Sequence, residues 1–288
     1  MLPWRTLQLQ LLFFRGTAAK FCTLPIGDSI AQADSAHASW RVPLWKHLVD
    51  YYEDSAEVLF TGSMVNHFGE EPGTVHPQAD YKQKRFPPNH EGHWGWEANQ
   101  ILDGCSTCQD ESSGSGNIDQ WLEEYDKICI PDCVLINLGT NDMARGDAAE
   151  NVVAELGDIM NRVRRKFTGS DLTFLIATFR YSSLVSALWK AFGTEEMAYA
   201  RVHVVDLQTG FHKGLTSDGL HPNAYGENWM ADRWFEAVLR HCIKDENATF
   251  VKRYVPGGEV SASKRSPAWH IWILPVTLIT ALIPCFRM

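Results

Sequence analysis

Four polar residues far apart in the chain are of the types that acyl chemistry needs. Ser29 lies in LPIGDSIAQ (residues 24–32), directly after an apolar run. Asn141 lies in Gly139-Thr-Asn-Asp, and Asp218 and His221 lie in DGLHPN. A serine hydroxyl becomes a competent nucleophile when a base takes its proton, and that base needs a third group to hold its tautomer. A carboxamide N–H is a ready donor to an oxyanion. Together these residues are the parts of a serine-dependent ester hydrolysis. Taken alone, Ser29 is equally a helix cap, since Ser and Asp both favour that position. Asp28 reads as a structural residue bonding within its own turn, and Asp142 as a turn or cap residue.

The elements that must carry these residues are legible as short apolar runs. Residues 21–26, 57–60, 132–139, 171–178 and 202–207 read as strands. Residues 43–52, 148–167 and 224–243 have helical spacing, and 97–103 reads as a helix start. Strands alternating with helices imply a parallel sheet covered on both faces, an α/β architecture. Ligands of such sheets bind beyond the carboxyl ends of the strands, and each motif above falls at that edge. The G-x-S-x-G elbow of α/β-hydrolases is absent, which disfavours that fold. Residues 63–92 form a long polar stretch rich in Gly, Pro and His. A loop of that length is more often functional or covering than idle. Its histidines, His67, His76, His90 and His93, are irregularly spaced and read as solvent-exposed rather than as metal ligands. Residues 108–119 read as a low-complexity loop.

The chain has 288 residues, 45% of them hydrophobic, with a formal net charge of −9. An acidic protein gains nothing from phosphate neutralisation, so no nucleic acid partner is expected. Of the seven cysteines, Cys105 and Cys108 form a lone C-x-x-C with no second ligand pair to complete a zinc site. One or two disulfides in the loop-rich middle are expected instead, if the protein is exported. Residues 1–19 carry Arg5, an apolar stretch and Thr17-Ala18-Ala19, and read as a signal peptide. Residues 20–250 form the expected catalytic domain and 251–267 a polar linker. Residues 268–288 are a hydrophobic tail, an anchor or a processed signal. At about 1.5 Å per residue its uncharged part nearly spans a bilayer core of about 30 Å. Lys252, Arg253, Lys264 and Arg265 precede it and Arg287 alone follows, a charge order that suits a processed tail better than a retained span. Gly257-Gly258 and Ser261-Ala262-Ser263 offer small residues for a glycolipid attachment. Asn247-Ala-Thr249 is a glycosylation sequon. The expected location is therefore secreted or at the cell surface.

From about residue 23 to 238 the chain resembles the SGNH, or GDSL, hydrolases, and within them carbohydrate esterase family 3, the acetylxylan esterases. The resemblance rests on Gly27-Asp28-Ser29-Ile30, SWRVPLW (39–45), FTGS (60–63), HEGHWGW (90–96), GTND (139–142) and DGLHPNAYG (218–226), in the family's order. It implies a three-layer, flavodoxin-like sandwich with a central, mostly parallel sheet. Carried over by position, it makes Ser29 the nucleophile, His221 the base and Asp218 its orienter. The oxyanion hole becomes the Ser29 N–H, the Gly95 N–H and the Asn141 side chain, with Gly92 the alternative to Gly95. No cofactor and no metal are implied. A helix starting at Ser29 would add partial positive charge at the oxyanion.

The chain departs from the family at Ala31, at Trp94 and between Arg180 and Arg201, which puts leaving-group specificity in doubt. Trp94 and Trp96 are candidate substrate-lining residues, or alternatively packed loop anchors. The implied activity is removal of small acyl groups, acetyl above all, from carbohydrate. A general or lipid acyl esterase is the alternative on the same fold. A surface carbohydrate-binding module without activity is the alternative of another class, although such a module has no need for all four polar residues.

Overall fold

The computed structural model describes residues 19–245 apart from Ala38, Ala79, Gln109 and Asp126. Residues 1–18 of the expected signal segment 1–19, the sequon at Asn247, the linker and the hydrophobic tail lie outside the described residues. Among the described residues no helix is long and apolar enough to cross a membrane.

The apolar runs become strands of a single parallel sheet. They are β1 (Ala19–Gly27), β2 (Ala56–Phe60), β3 (Glu91–Gly92), β4 (Cys133–Asn137), β5 (Thr173–Thr178) and β6 (Val202–Asp206). Their order is β2-β1-β4-β5-β6, with the short β3 continuing the edge beside the end of β1. The register pairs Ile26 with Ile136 and with Glu91, so β1, β3 and β4 end level with one another. Chain order reverses at β1: β2 lies on one side of it and β4 on the other. That reversal makes the crevice beyond β1 and β4 the natural ligand site of this topology.

Burial on both faces explains why the strands read as continuous apolar runs rather than alternating ones. Leu24, Ile26, Val134, Ile136, Phe174 and Ile176 face one core. It is closed by α3 (Ala98–Asp103), α4 (Ile118–Tyr125), α6 (Ala149–Lys166) and α7 (Ser182–Phe192). Phe21, Leu135, Leu175 and Val205 face the other, covered by α2 (Arg41–Tyr52) and, beyond the short α8 (Glu195–Tyr199) in the chain, by α9 (Ala224–Ala237). Each fully buried Leu, Ile, Val or Phe contributes about 1.5–3 kcal/mol. The three layers expected from the sequence are therefore present. α4 and α7 fall in segments given no element from the sequence, although Ile118, Trp121, Leu122 and Tyr125, and Leu184, Leu188 and Phe192, recur at helical spacing and are the residues buried.

Two expectations are corrected. The loop histidines are not solvated: His67, His90 and His93 are buried. His93 packs against both Trp96 and Trp121 and bonds Glu91 Oε1 at 2.7 Å and the Ser113 carbonyl at 2.8 Å. Tertiary partners at 91, 96, 113 and 121 set this burial, and no local pattern announces it. The disulfides are also more numerous and longer in reach than expected. Cys105 pairs with Cys108, Cys22 with Cys129 and Cys133 with Cys242. The last two bridge separations of 107 and 109 residues and tie β1 to the segment after α4 and β4 to the segment after α9. Closing loops of roughly 100 residues stabilises by about 4.7 kcal/mol in the chain-entropy account.

Candidate active site

Ser29 opens α1 (Ser29–Gln32), immediately beyond the carboxyl end of β1. Gly27 is required just before it: a Cβ there would stand 2.6 Å from the Ala31 side chain and 2.9 Å from the Asn137 carbonyl. Asp28 turns the chain by accepting the Ile30 N–H at 3.0 Å, the within-turn bond expected of it. α1 is only 4 residues long, so the helix dipole expected to assist at Ser29 is reduced to the few N–H groups of one turn.

His221 reaches Ser29 from the loop that precedes α9. Its Nε2 lies 3.0 Å from Ser29 Oγ, and its Nδ1 lies 2.6 Å from Asp218 Oδ2. Asp218 Oδ1 accepts the Leu220 and His221 N–H groups at 2.8 and 2.7 Å, which locks the loop around the carboxylate. Partial burial acts to raise the Asp218 pKa, but the bonds from His221 and from these two N–H groups outweigh it and hold the carboxyl well below its ordinary range. It is therefore an anion at any pH near neutrality, able to stabilise an imidazolium beside it.

Asn141 stands in α5 (Thr140–Arg145), beyond β4. Gly139 makes that turn at φ 103°, a left-handed conformation that a residue with a Cβ adopts only at a cost. Asn141 Nδ2 donates to the Trp96 carbonyl at 2.8 Å, which leaves its second N–H for another acceptor. Gly95 lies on the wall of the adjacent cleft, with φ 77°. Gly92, the alternative oxyanion donor, is already committed: its N–H donates to His90 Nδ1 at 3.1 Å.

Trp94 and Trp96 part company. The Trp94 ring lies between Phe68 and His221, at centroid distances of 4.4 and 4.7 Å, and borders the space around Ser29. Trp96 is only 1% exposed, packed in the core beneath the site, so it lines no substrate space. Sequence reasoning also missed the residues that hold these walls. Gln32, wholly buried, accepts the Trp94 N–H at 2.7 Å and donates to the Ser112 carbonyl at 2.6 Å. Asp142 is a long-range tether rather than a local cap, accepting the Ala98 N–H at 2.8 Å. Arg145 donates to the Gly95 carbonyl at 3.1 Å and to Glu97 at 2.6 Å. Phe68 is one of three aromatic residues in the polar stretch, with Tyr81 and Phe86, and nothing local sets it apart; Gln32 left no signal either.

Burial shapes the electrostatics. It raises the Asp28 carboxyl to about 7, with the Asp142 charge adding to the effect. Burial raises Asp142 itself to about 6 and Glu227, beside the Ser29 cavity, to about 7. The space at Ser29 is small, about 10 Å³, bordered by Ile30, Ala33, Trp94 and Pro222 and by the polar Asp34, His37, Ser39 and Glu227. Across Trp94 opens a cleft of about 450 Å³ lined by Phe68, Gly95, Gln100, Asp110 and Arg145. A confined space of mixed polar and apolar lining at Ser29 thus stands beside a wider, open cleft.

No protein-family model matches the chain. A multidomain esterase of Ruminococcus flavefaciens is 24% identical over 245 residues, covering 75% of this chain and 28% of that protein. The chain thus spans little more than a quarter of the length of that relative. Among solved structures, a family 3 carbohydrate esterase from Talaromyces cellulolyticus matches with TM-score 0.56 and 22% identity. The match covers 78% of this chain and 99% of the other. A family 3 carbohydrate esterase from Clostridium thermocellum matches with TM-score 0.55 and 20% identity over 78% of this chain and 98% of the other. An acetyl esterase solved with an acetate ion gives TM-score 0.56, 22% identity and coverage of 78% and 99%. The strand order, the site at its reversal and these likenesses agree: this chain has the fold of the family 3 carbohydrate esterase structures, a parallel sheet between two layers of helices.

Proposed function

We propose that this protein is a serine esterase that removes small acyl groups, acetyl above all, from carbohydrate. The observation that carries the reading is the relay from Ser29 Oγ through His221 to Asp218, with steps of 3.0 and 2.6 Å. In the reaction, His221 Nε2 takes the Ser29 proton as Oγ attacks the ester carbonyl, and Asp218 balances the imidazolium. The oxyanion is held by the Ser29 N–H, the Gly95 N–H and the free N–H of Asn141 Nδ2. Collapse of the tetrahedral species breaks the bond to the sugar oxygen, which takes the proton from His221. Water then attacks the acyl-serine, again through His221, and releases the carboxylic acid and free Ser29.

Three observations support the substrate class. The confined space at Ser29, closed by Ile30, Ala33, Trp94 and Pro222 among polar neighbours, favours a small acyl group over a bulky one. The cleft beyond Trp94 is lined by polar side chains and aromatic faces, the surfaces that bind sugars. The relatives of like fold and sequence are an acetyl esterase, family 3 carbohydrate esterases and a multidomain esterase. Three disulfides favour an oxidising compartment, in keeping with export and with a surface or secreted location.

The test compares wild type and Ser29→Ala on short-chain esters, long-chain esters and acetylated xylan. Release of acetate from short esters and polysaccharide, lost in Ser29→Ala, is the expected result. Preference for long chains with no acetate from polysaccharide would make it a lipid esterase. Absence of turnover on every ester would leave a carbohydrate-binding role and refute the enzymatic one.

A further inference from the structure

The polar stretch after β2 brings together three metal-ligating side chains that the proposed hydrolysis does not use. His67, Glu70 and His76 each present a ligand atom, and these atoms lie within 4.8 Å of one another. The imidazole rings of His67 and His76 lie face to face, with centroids 4.2 Å apart. His76 Nδ1 is 2.6 Å from Glu70 Oε1, and Glu70 Oε2 accepts the His67 N–H at 3.0 Å. His67 is only 3% exposed, and its Nδ1 lies 2.9 Å from the Asp34 carbonyl. A carbonyl can only accept, so Nδ1 carries the proton and Nε2 keeps its lone pair. This outer hydrogen bond is the one that usually fixes the tautomer and orientation of a metal-bound histidine. The Glu70 and His76 side chains are 19% and 28% exposed, which leaves an entry path and room for a water ligand.

From this grouping we propose that His67, Glu70 and His76 form a binding site for a zinc-class divalent cation. Two imidazoles and one carboxylate suit such a borderline ion, whereas calcium and magnesium prefer an all-oxygen shell. On binding, the His76–Glu70 hydrogen bond gives way to two bonds to the ion. His76 keeps its single ring proton by carrying it on Nε2 while Nδ1 ligates. Water completes the shell.

The site lies directly behind the wall of the candidate active site. Phe68, the next residue after His67, donates its N–H to the Ala33 carbonyl at 2.9 Å and stacks on Trp94, which stacks on His221. The ion would brace the loop that carries this aromatic wall and take no part in bond breaking. The inference does not depend on the esterase reading, because it concerns binding alone.

Metal-stripped full-length protein is titrated with zinc chloride by calorimetry, and bound zinc is counted by elemental analysis after desalting. One equivalent is expected in wild type, raising the thermal midpoint and left undisturbed by excess calcium or magnesium. Affinity should fall at least about tenfold in His76→Ala and in Glu70→Gln. Both residues are partly exposed, and an unchanged circular dichroism spectrum shows that the variants fold. No saturable uptake by wild type, or one equivalent bound with undiminished affinity in both variants, would overturn the proposal.

Discussion

The two halves of the candidate site are held in opposite ways. Ser29 and Asn141 stand beyond the ends of β1 and β4, with the buried residues 21–27 and 133–137 of those strands behind them and Ser29 itself only 7% exposed. Asp218 and His221 stand on a loop, with the Asp218 side chain 53% exposed. The serine half takes its position from the core, where displacement would open packed space. The base half takes its position from a few local bonds: two N–H groups on Asp218 Oδ1, the 2.6 Å contact to Asp218 Oδ2, and the Trp94 face over the imidazole. Changes on the serine side should therefore couple to global stability when they disturb the strand ends. Changes on the base side should alter turnover with little effect on folding.

The largest expected effect is on turnover. Ser29→Ala should lower kcat by about 10⁴-fold or more, measured by acetate release, because the relay acts as a unit. Asp218→Asn should cost about 10⁴-fold in the same assay while circular dichroism and the thermal midpoint stay unchanged. A large loss of stability in Asp218→Asn would break the contrast between the halves. Asn141→Ala comes next, with kcat about 10²–10³-fold lower and KM nearly unchanged, read from steady-state kinetics.

Asp28 tests the buried half through pH. Its folded carboxyl is raised to about 7 from an ordinary value of 3.8, so between about pH 4 and 7 the folded state keeps a proton that the unfolded chain releases. Stability must then fall as pH rises through that window. Asp28→Asn keeps an acceptor for the Ile30 N–H and removes the ionisation. Its advantage over wild type in urea unfolding should grow by roughly a few kcal/mol from pH 4 to pH 7. A constant difference across that range would show that Asp28 is not buried as a neutral acid. The smallest effect belongs to Trp94→Ala: an aromatic stack contributes about 0.5–1.5 kcal/mol, so kcat should fall no more than about tenfold, with the thermal midpoint little changed.

Much of the frame was legible in the sequence because burial on both sheet faces writes itself as unbroken apolar runs. Residues 132–139 and 171–178 contain β4 and β5 for that reason. The candidate residues could be singled out because Ser29 and Asn141 follow such runs and Asp218 and His221 lie just before the closing helix, in short motifs. What stayed hidden depends on partners distant in the chain. His93 is buried by Trp96 and Trp121, Gln32 is useful only through Trp94 and Ser112, and Cys22 finds Cys129 across most of a domain half. Trp96 shows the converse error: a tryptophan in a functional motif can serve the core beneath the site instead of the substrate above it.

The central claim is that Ser29 is an activated nucleophile, and covalent labelling tests it most directly. Wild-type protein is incubated with a small alkyl fluorophosphonate, which forms a stable bond to an activated serine and releases fluoride, and the adduct is located by peptide mass mapping. One adduct per chain on Ser29, slowed by orders of magnitude in His221→Ala, is the result expected. An unlabelled Ser29 in a protein that still hydrolyses esters, or labelling as fast in His221→Ala as in wild type, would contradict the account.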